Sequence, residues 1–483
     1  MQKNQQKGGN MKHFVQNLIL VIILTILLLF SYAFLQKKTE NFGLSEFYQF
    51  LFEQPSGQQE NAAKNGAGEE ESQQAKDGEN NTYRAVWLSY LEFNAYRRSV
   101  TDPTEKSFRK FFRHILNRSK KCGFNRIIVQ VRPFGDALYT SGYFPWAACI
   151  SGTQGEDPGY DPLSVMVELA HKKGFRIEAW INPYRVSSGN DLDELSEDNP
   201  AKIWALSSDK TRNVLSYDDA LYYNPSSEEA QELIINGVKE IVENYEVDGI
   251  HMDDYFYPTF TEANVDSAFD SLEYQKGLSD GTIEKNTSLA DWRRKNVNTL
   301  VSALYQTIKS IDPDVSFGIS PAGNLSNLRS DLQYYVDVDT WVRSEGYVDY
   351  LMPQIYWGYT NEEAPFDKTL EEWIALTEDS SVKLMAGLQL YRMGTGNDGQ
   401  SDYEELQDAG LIAKELTQLQ KEKAVSGYCF FSYQYLDVDN KTYDFDSNEF
   451  AASRKKILKE IAGELKNCLL YTSPSPRDTE RCR

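Results

Sequence analysis

Histidine and cysteine are scarce: the 483-residue chain has four His and five Cys. The cysteines, at positions 122, 149, 429, 468 and 482, show no metal-binding spacing and no dense framework, which argues against a disulfide scaffold. A single Cys122–Cys149 bridge stays open. With no His-Glu-x-x-His and no clustered Cys, little material exists for a transition-metal site, and neither metal nor cofactor is expected. There is no Gly-x-Ser-x-Gly elbow and no Cys/His nucleophile context. No glycine-rich phosphate loop follows an early strand, which counts against a doubly wound nucleotide-binding sheet. The acidic Asp437–Glu449 stretch lacks the glycine of a calcium loop and reads as a solvated turn. Positive charge is also short: 50 Lys and Arg face 72 Asp and Glu, a net charge of −22 that repels nucleic acid and anionic membrane surfaces.

One long apolar run is present, Leu18–Phe34, interrupted by Thr25 and Ser31 and flanked by Lys12, Lys37 and Lys38. Its length fits a short membrane span and equally a signal-peptide core. Residues 14–36 are therefore expected to be a transmembrane signal anchor, the favoured reading, or a signal peptide cleaved near Ser31-Tyr32-Ala33. No Cys follows to mark a lipoprotein. Residues 1–13, with Lys3, Lys7, Lys12 and His13, would stay cytoplasmic. Lys7-Gly8-Gly9-Asn10 before Met11 reads like a translated ribosome-binding site, which puts Met11 forward as the true start. The rest is expected outside the cytoplasm, anchored to the cell membrane, or secreted if the segment is cleaved. Residues 37–82, rich in Gln, Glu, Asn and Gly, read as a flexible acidic linker. Residues 467–483 look like translated sequencing adaptor and are set apart from the fold.

From 83 to 466 short apolar runs recur: Ala85–Tyr90, Arg126–Val131, Arg176–Ile181, Gly249–Asp253, Ser316–Ser320, Asp349–Gln354, Lys383–Leu390 and Gly427–Phe431. Helical patterns separate most of them, including Glu105–Cys122, Asp161–Lys173, a helix capped by Ser226, Asp291–Ile311 and Phe450–Lys466. That alternation predicts an α/β (β/α)8 TIM-like barrel, with long loops after strands two, three and four, preceded by one membrane segment.

Barrel chemistry sits at the C-terminal ends of the strands. Asp253 and Asp254 close the fourth run and precede Tyr255, Phe256 and Tyr257. A cap or a structural ion pair is the ordinary role of such an acid pair. Its place at a strand tip favours Asp253 as a catalytic carboxylate, with Asp254 as a supporting charge that raises its pKa. Glycoside hydrolysis generally uses two carboxyl groups; Asp136 and Glu178 are the contenders for the second, although Glu178 could simply pair with an Arg inside the barrel. Arg132, Trp146, Asn182, Tyr184, Arg185, His251, Tyr255, Gln354, Tyr356, Trp357 and Tyr391 complete a groove of amides and aromatics suited to a neutral, hydroxyl-rich ligand such as a glycan. Singly, each fits rim packing as well. His251 near Asp253 is a faint hint of a metal-dependent polysaccharide deacetylase, and a non-catalytic glycan-binding barrel stays open too.

Several stretches resemble a known family: Arg84-Ala-Val-Trp-Leu, Gln130-Val-Arg-Pro, Pro158-Gly-Tyr-Asp-Pro-Leu, Ala179-Trp-Ile-Asn-Pro-Tyr-Arg185, Asp248-Gly-Ile-His-Met-Asp-Asp-Tyr-Phe-Tyr257, Ile319-Ser-Pro-Ala-Gly and Met352-Pro-Gln-Ile-Tyr-Trp357. Together, in order from about Tyr83 to Lys466, they resemble the glycosyl-hydrolase-like 10 family of bacterial exported proteins. The resemblance implies a TIM-barrel enzyme similar to a cell-division glycosidase that acts on denuded peptidoglycan. Two departures limit it. Many members carry His where this chain has Glu178, and strand seven ends Leu388-Gln-Leu-Tyr-Arg392 without the acid of xylanase-type barrels.

Overall fold

Eleven strands follow in chain order: β1 (Tyr83–Leu88), β2 (Arg126–Arg132), β3 (Arg176–Ile181), β4 (Arg185–Ser187), β5 (Val214–Tyr217), β6 (Ala220–Tyr223), β7 (Gly249–Met252), β8 (Ser316–Ile319), β9 (Tyr350–Leu351), β10 (Lys383–Gln389) and β11 (Val425–Phe431). They come from a computed structural model that describes residues 82–443, 445 and 449–471. The expected membrane segment at 14–36, the linker up to residue 81 and the tail beyond 471 lie outside those residues. Among the described residues no helix is long and apolar enough to cross a membrane.

Eight strands close into a parallel barrel in the order β1-β2-β3-β7-β8-β9-β10-β11, with β11 back against β1. Each strand matches one of the expected apolar runs. The sixth is the shortest: Pro353 has no N–H to give the ladder, so pairing lapses after Leu351 and resumes as single bridges at Gln354. Helices Glu105–Lys121 and Pro162–Lys172 pack side by side outside, as do Glu228–Asn244 and Leu289–Ile311. Ser227, not Ser226, caps the third of these: its hydroxyl accepts from Ala230 N–H at 3.1 Å. The closing helix Glu449–Tyr471 runs on past Lys466, into the stretch set apart as adaptor-derived.

Elements near the barrel mouth were not all foreseen. The insertion after β3 builds its own antiparallel sheet, β4-β6-β5. Its hairpin turns on Asp218 and Asp219, both with positive φ (48° and 57°), the geometry of a type I′ turn. A helix, Tyr90–Ser99, follows β1, and Ser89 with Glu92 forms its capping box. Cys122, Cys149 and Cys429 are free thiols, so the 122–149 bridge does not form.

The barrel interior below the mouth is filled by Tyr83, Trp87, Ile128, Trp180, Tyr350, Met352, Met385 and Cys429. Gly318 makes this possible: a Cβ there would fall about 2 Å from the Tyr350 ring.

Candidate active site

β3 sends alternate side chains inward, so Glu178, Trp180 and Asn182 climb one face of the barrel interior toward the mouth. β7 sets His251 and Asp253 beside them. The lower level is a continuous chain of hydrogen bonds. Trp87 Nε1–H donates to His251 Nε2 at 3.2 Å, and His251 Nδ1 lies 2.8 Å from the Tyr350 hydroxyl. Tyr350 in turn donates to Glu178 Oε2 at 2.5 Å, and Tyr83 donates to Oε1 at 2.9 Å. With Nε2 an acceptor, the imidazole is neutral and carries its proton on Nδ1. Burial pushes its pKa down to about 3, in agreement with that tautomer. Burial raises the Glu178 carboxyl, while Arg126, with Nη1 3.6 Å from Oε1, works against the shift. Both Glu178 and His251 are fully buried.

One level up stands the acid pair. Asp253 Oδ2 accepts from Trp180 Nε1–H at 3.1 Å and from Asn182 Nδ2–H at 3.0 Å. Its Oδ1 accepts from Asn182 at 3.2 Å and from the Tyr255 backbone N–H at 3.1 Å. Asn182 is itself held by Gln130, whose Nε2–H donates to it at 2.7 Å. Asp254 points the other way, toward the tips of β8 and β9, where Gln354 Nε2–H reaches its Oδ1 at 3.0 Å and also Ser320 O at 3.0 Å. Burial, then the adjacent Asp254 charge, push Asp253 up to about 8; burial raises Asp254 as well. The two are adjacent like charges, so the loss of a proton from one depends on the charge of the other.

Around the pair stand aromatic groups from several loops. The Arg185 guanidinium lies 5.0 Å from the ring centres of both Phe134 and Tyr255, tying the loops after β2, β3 and β7 together. Tyr356, Tyr391 and Phe431, from the ends of β9, β10 and β11, form a half-buried cluster with ring centres 5.5 to 6.3 Å apart. Trp357 is half-buried at the same end, above Gly323.

Other expected site residues fall elsewhere. Arg132 is buried, with its guanidinium 4.6 Å over the Phe144 ring. Asp136 accepts from Gln154 at 3.2 Å in the loop after β2, where burial pushes it up to about 6. Trp146 bridges to Ala137 in that same loop, and Tyr184 is buried against Phe256 and Tyr257. Among the described residues no group of three His, Cys, Asp or Glu side chains is placed to hold a metal ion. Trp180, Trp87 and Gln130 were missed from sequence. Trp180 had a signal, since it alternates with Glu178 and Asn182, both singled out from sequence.

A family model described as glycosyl hydrolase-like 10 matches residues 82–405. Glycosyl hydrolase YngK of Bacillus subtilis is 35% identical over 372 residues, 73% of this chain and 68% of that protein. Glycosyl hydrolase DigH of Escherichia coli is 34% identical over 340 residues, 67% of this chain and 75% of that protein. Among solved structures, the glycoside hydrolase domain of PgaB (BpsB) from Bordetella bronchiseptica shares the barrel with a TM-score of 0.50 at 14% identity, over 80% of this chain and 98% of that one. On the family match and these identities, the chain belongs to the glycosyl hydrolase-like 10 family.

Proposed function

We propose that the protein is an exported glycoside hydrolase that cleaves glycosidic bonds in bacterial cell-wall glycan, above all peptidoglycan strands freed of their peptides. Asp253 and Asp254 supply the carboxylate acid/base chemistry. The observation that carries this reading is the acid pair at the tip of β7, Asp253 buried and Asp254 half-buried, both raised in pKa and held by Trp180, Asn182 and Gln354. A carboxyl that keeps its proton at neutral pH is what protonation of a leaving oxygen requires. Family membership and relatives named as glycosyl hydrolases support hydrolysis. Tyr356, Tyr391 and Trp357 offer stacking faces for sugar rings. Export rests on the apolar run at Leu18–Phe34.

A glycan-binding barrel without chemistry is the second reading, favoured by the lack of a carboxylate at the tips of β8, β9 and β10: Ser320–Asn324, Pro353–Trp357 and Leu390–Met393 contain none. Deacetylation loses its hint, because His251 has both ring nitrogens engaged inside the barrel. Incubating the full chain with peptide-free glycan strands separates the readings. New reducing ends, reduced at least ~10²-fold in Asp253→Asn, are expected for the enzyme. Tight binding without products would sink it.

A further inference from the structure

Three groups donate to Asp253, and for two of them the direction is fixed by chemistry. The Trp180 indole N–H and the Tyr255 backbone N–H can only donate. Asn182 differs, because a primary amide carries donors on one side and an acceptor on the other. It lies 3.0 Å from Asp253 Oδ2 and 3.2 Å from Oδ1. Which side it turns to the carboxyl is decided two residues away.

The decision traces to a backbone group. The helix Tyr90–Ser99 follows β1, and its first N–H, on Tyr90, donates to Gln130 Oε1 at 3.0 Å. A backbone N–H cannot accept, so Gln130 keeps its oxygen on that side and its nitrogen on the other. That nitrogen donates to Asn182 Oδ1 at 2.7 Å, which leaves Asn182 Nδ2 for Asp253. The helix start is itself held. Ser89 N–H and Oγ–H donate to Glu92 Oε2 at 2.9 and 2.6 Å, and Glu92 Oε1 accepts from Ser432 Oγ–H at 2.7 Å and Gln434 N–H at 3.2 Å. Gln130 and Asn182 are both buried, so these partners set their orientation.

We propose that Gln130 is a positioning residue: by holding Asn182 with its N–H toward Asp253, it leaves the Asp253 O–H no acceptor among its protein partners and so presents the proton to the substrate. This rests on the glycoside-hydrolase reading above, with Asp253 as the proton donor. The opposite orientation shows what is avoided. With the amide turned over, Asn182 Oδ1 would stand where Nδ2 stands now and would take the O–H bond itself. The proton would then be held inside the protein. Burial and the adjacent Asp254 charge disfavour ionisation of Asp253, Arg185 favours it, and His251 below on the same strand is neutral. Those groups set how firmly the proton is held; the amide sets where it points. Asp254 takes no part in this, since it faces Gln354 on the other side.

The test follows kcat/KM against pH for the full chain on peptide-free glycan strands, with the Asp253 carboxyl titrated in parallel by carbon-13 NMR. Gln130→Glu keeps an oxygen for the Tyr90 N–H but turns a second one toward Asn182, which forces the amide over. Expected are an alkaline limb and a carboxyl titration moved up by about one pH unit or more, and a maximal rate lowered on the order of tenfold. Gln130→Met removes both hydrogen bonds yet only frees the amide, so it should move the limb less. A merely structural role predicts the reverse order, with Met the more damaging, and that order overturns the proposal. The charge that Glu adds is controlled in an Asn182→Ala background, where no amide can turn and the change should add little. An equal shift in both backgrounds overturns the proposal. So does an unmoved limb in both Gln130 variants, which leaves glycoside hydrolysis intact. A wild-type chain that releases no reducing ends from the strands overturns the underlying reading itself.

Discussion

Glu178 and Asp253 are buried acids on neighbouring strands, one level apart, and their surroundings differ in kind. Glu178 accepts from two tyrosine hydroxyls and has the Arg126 cation within 3.6 Å. Asp253 accepts from neutral N–H donors and stands beside a second acid. Burial raises both. For Glu178 the charge has a fixed counterpart, so its loss would leave Arg126 and two phenols short of a partner. For Asp253 the neighbouring charge opposes ionisation, so the pair can exchange a proton with something that enters the mouth. A satisfied buried acid holds structure; an acid crowded by another acid is free to do chemistry.

The sharpest way to break this contrast is a matched pair of isosteric changes. Asp253→Asn is expected to lower kcat/KM by ~10³-fold while moving the unfolding midpoint little, since it removes like-charge crowding. Glu178→Gln should do the reverse, costing about 2 kcal/mol in denaturant unfolding while activity per folded molecule stays within a few-fold. If Glu178→Gln abolished turnover without loss of stability, the division of labour would be wrong.

Proton titration separates the two levels next. Activity should fall about tenfold per pH unit above about 8, as Asp253 loses its proton. Stability should respond on the acid side. His251 is held down to about 3 against an ordinary 6.5, so the unfolded chain takes up the extra proton between those values. Its contribution is complete above about 6.5 and is lost as pH falls toward 3. Urea unfolding at several pH values should show this slope, and His251→Asn should flatten it. The smallest effect is expected from Gln354→Ala. Its amide favours ionised Asp254, so removing it should move the alkaline limb of the rate profile upward by less than about one pH unit.

Much of the barrel was legible because β-branched runs such as Arg126-Ile-Ile-Val-Gln-Val recur between amphipathic helices. The hairpin at Tyr217-Asp-Asp-Ala220 was passed over because its strands are four residues each and its turn uses Asp rather than Gly. Ser89-Tyr-Leu-Glu92 spells a capping box that marks the start of the helix after β1. At the site, the strand-tip rule singled out Asp253, Asp254, Asn182 and Gln354, which the fold brings together. It also singled out Arg132, which the bulge between Gln130 and Arg132 turns away from the barrel series. Sequence spacing carries the period of a strand but not its irregularities.

Glu92 has a further consequence for handling the molecule. It belongs to the segment after the first strand, yet its Oε1 accepts from Ser432 and Gln434, just beyond the last. The family match ends at residue 405, before β11 begins at Val425. A chain cut at the match boundary would lose the partner of β1 and the outer neighbour of β10, exposing two raw sheet edges that invite aggregation. The smallest autonomous unit is thus set by circumference rather than by similarity, and it must reach past Gln434.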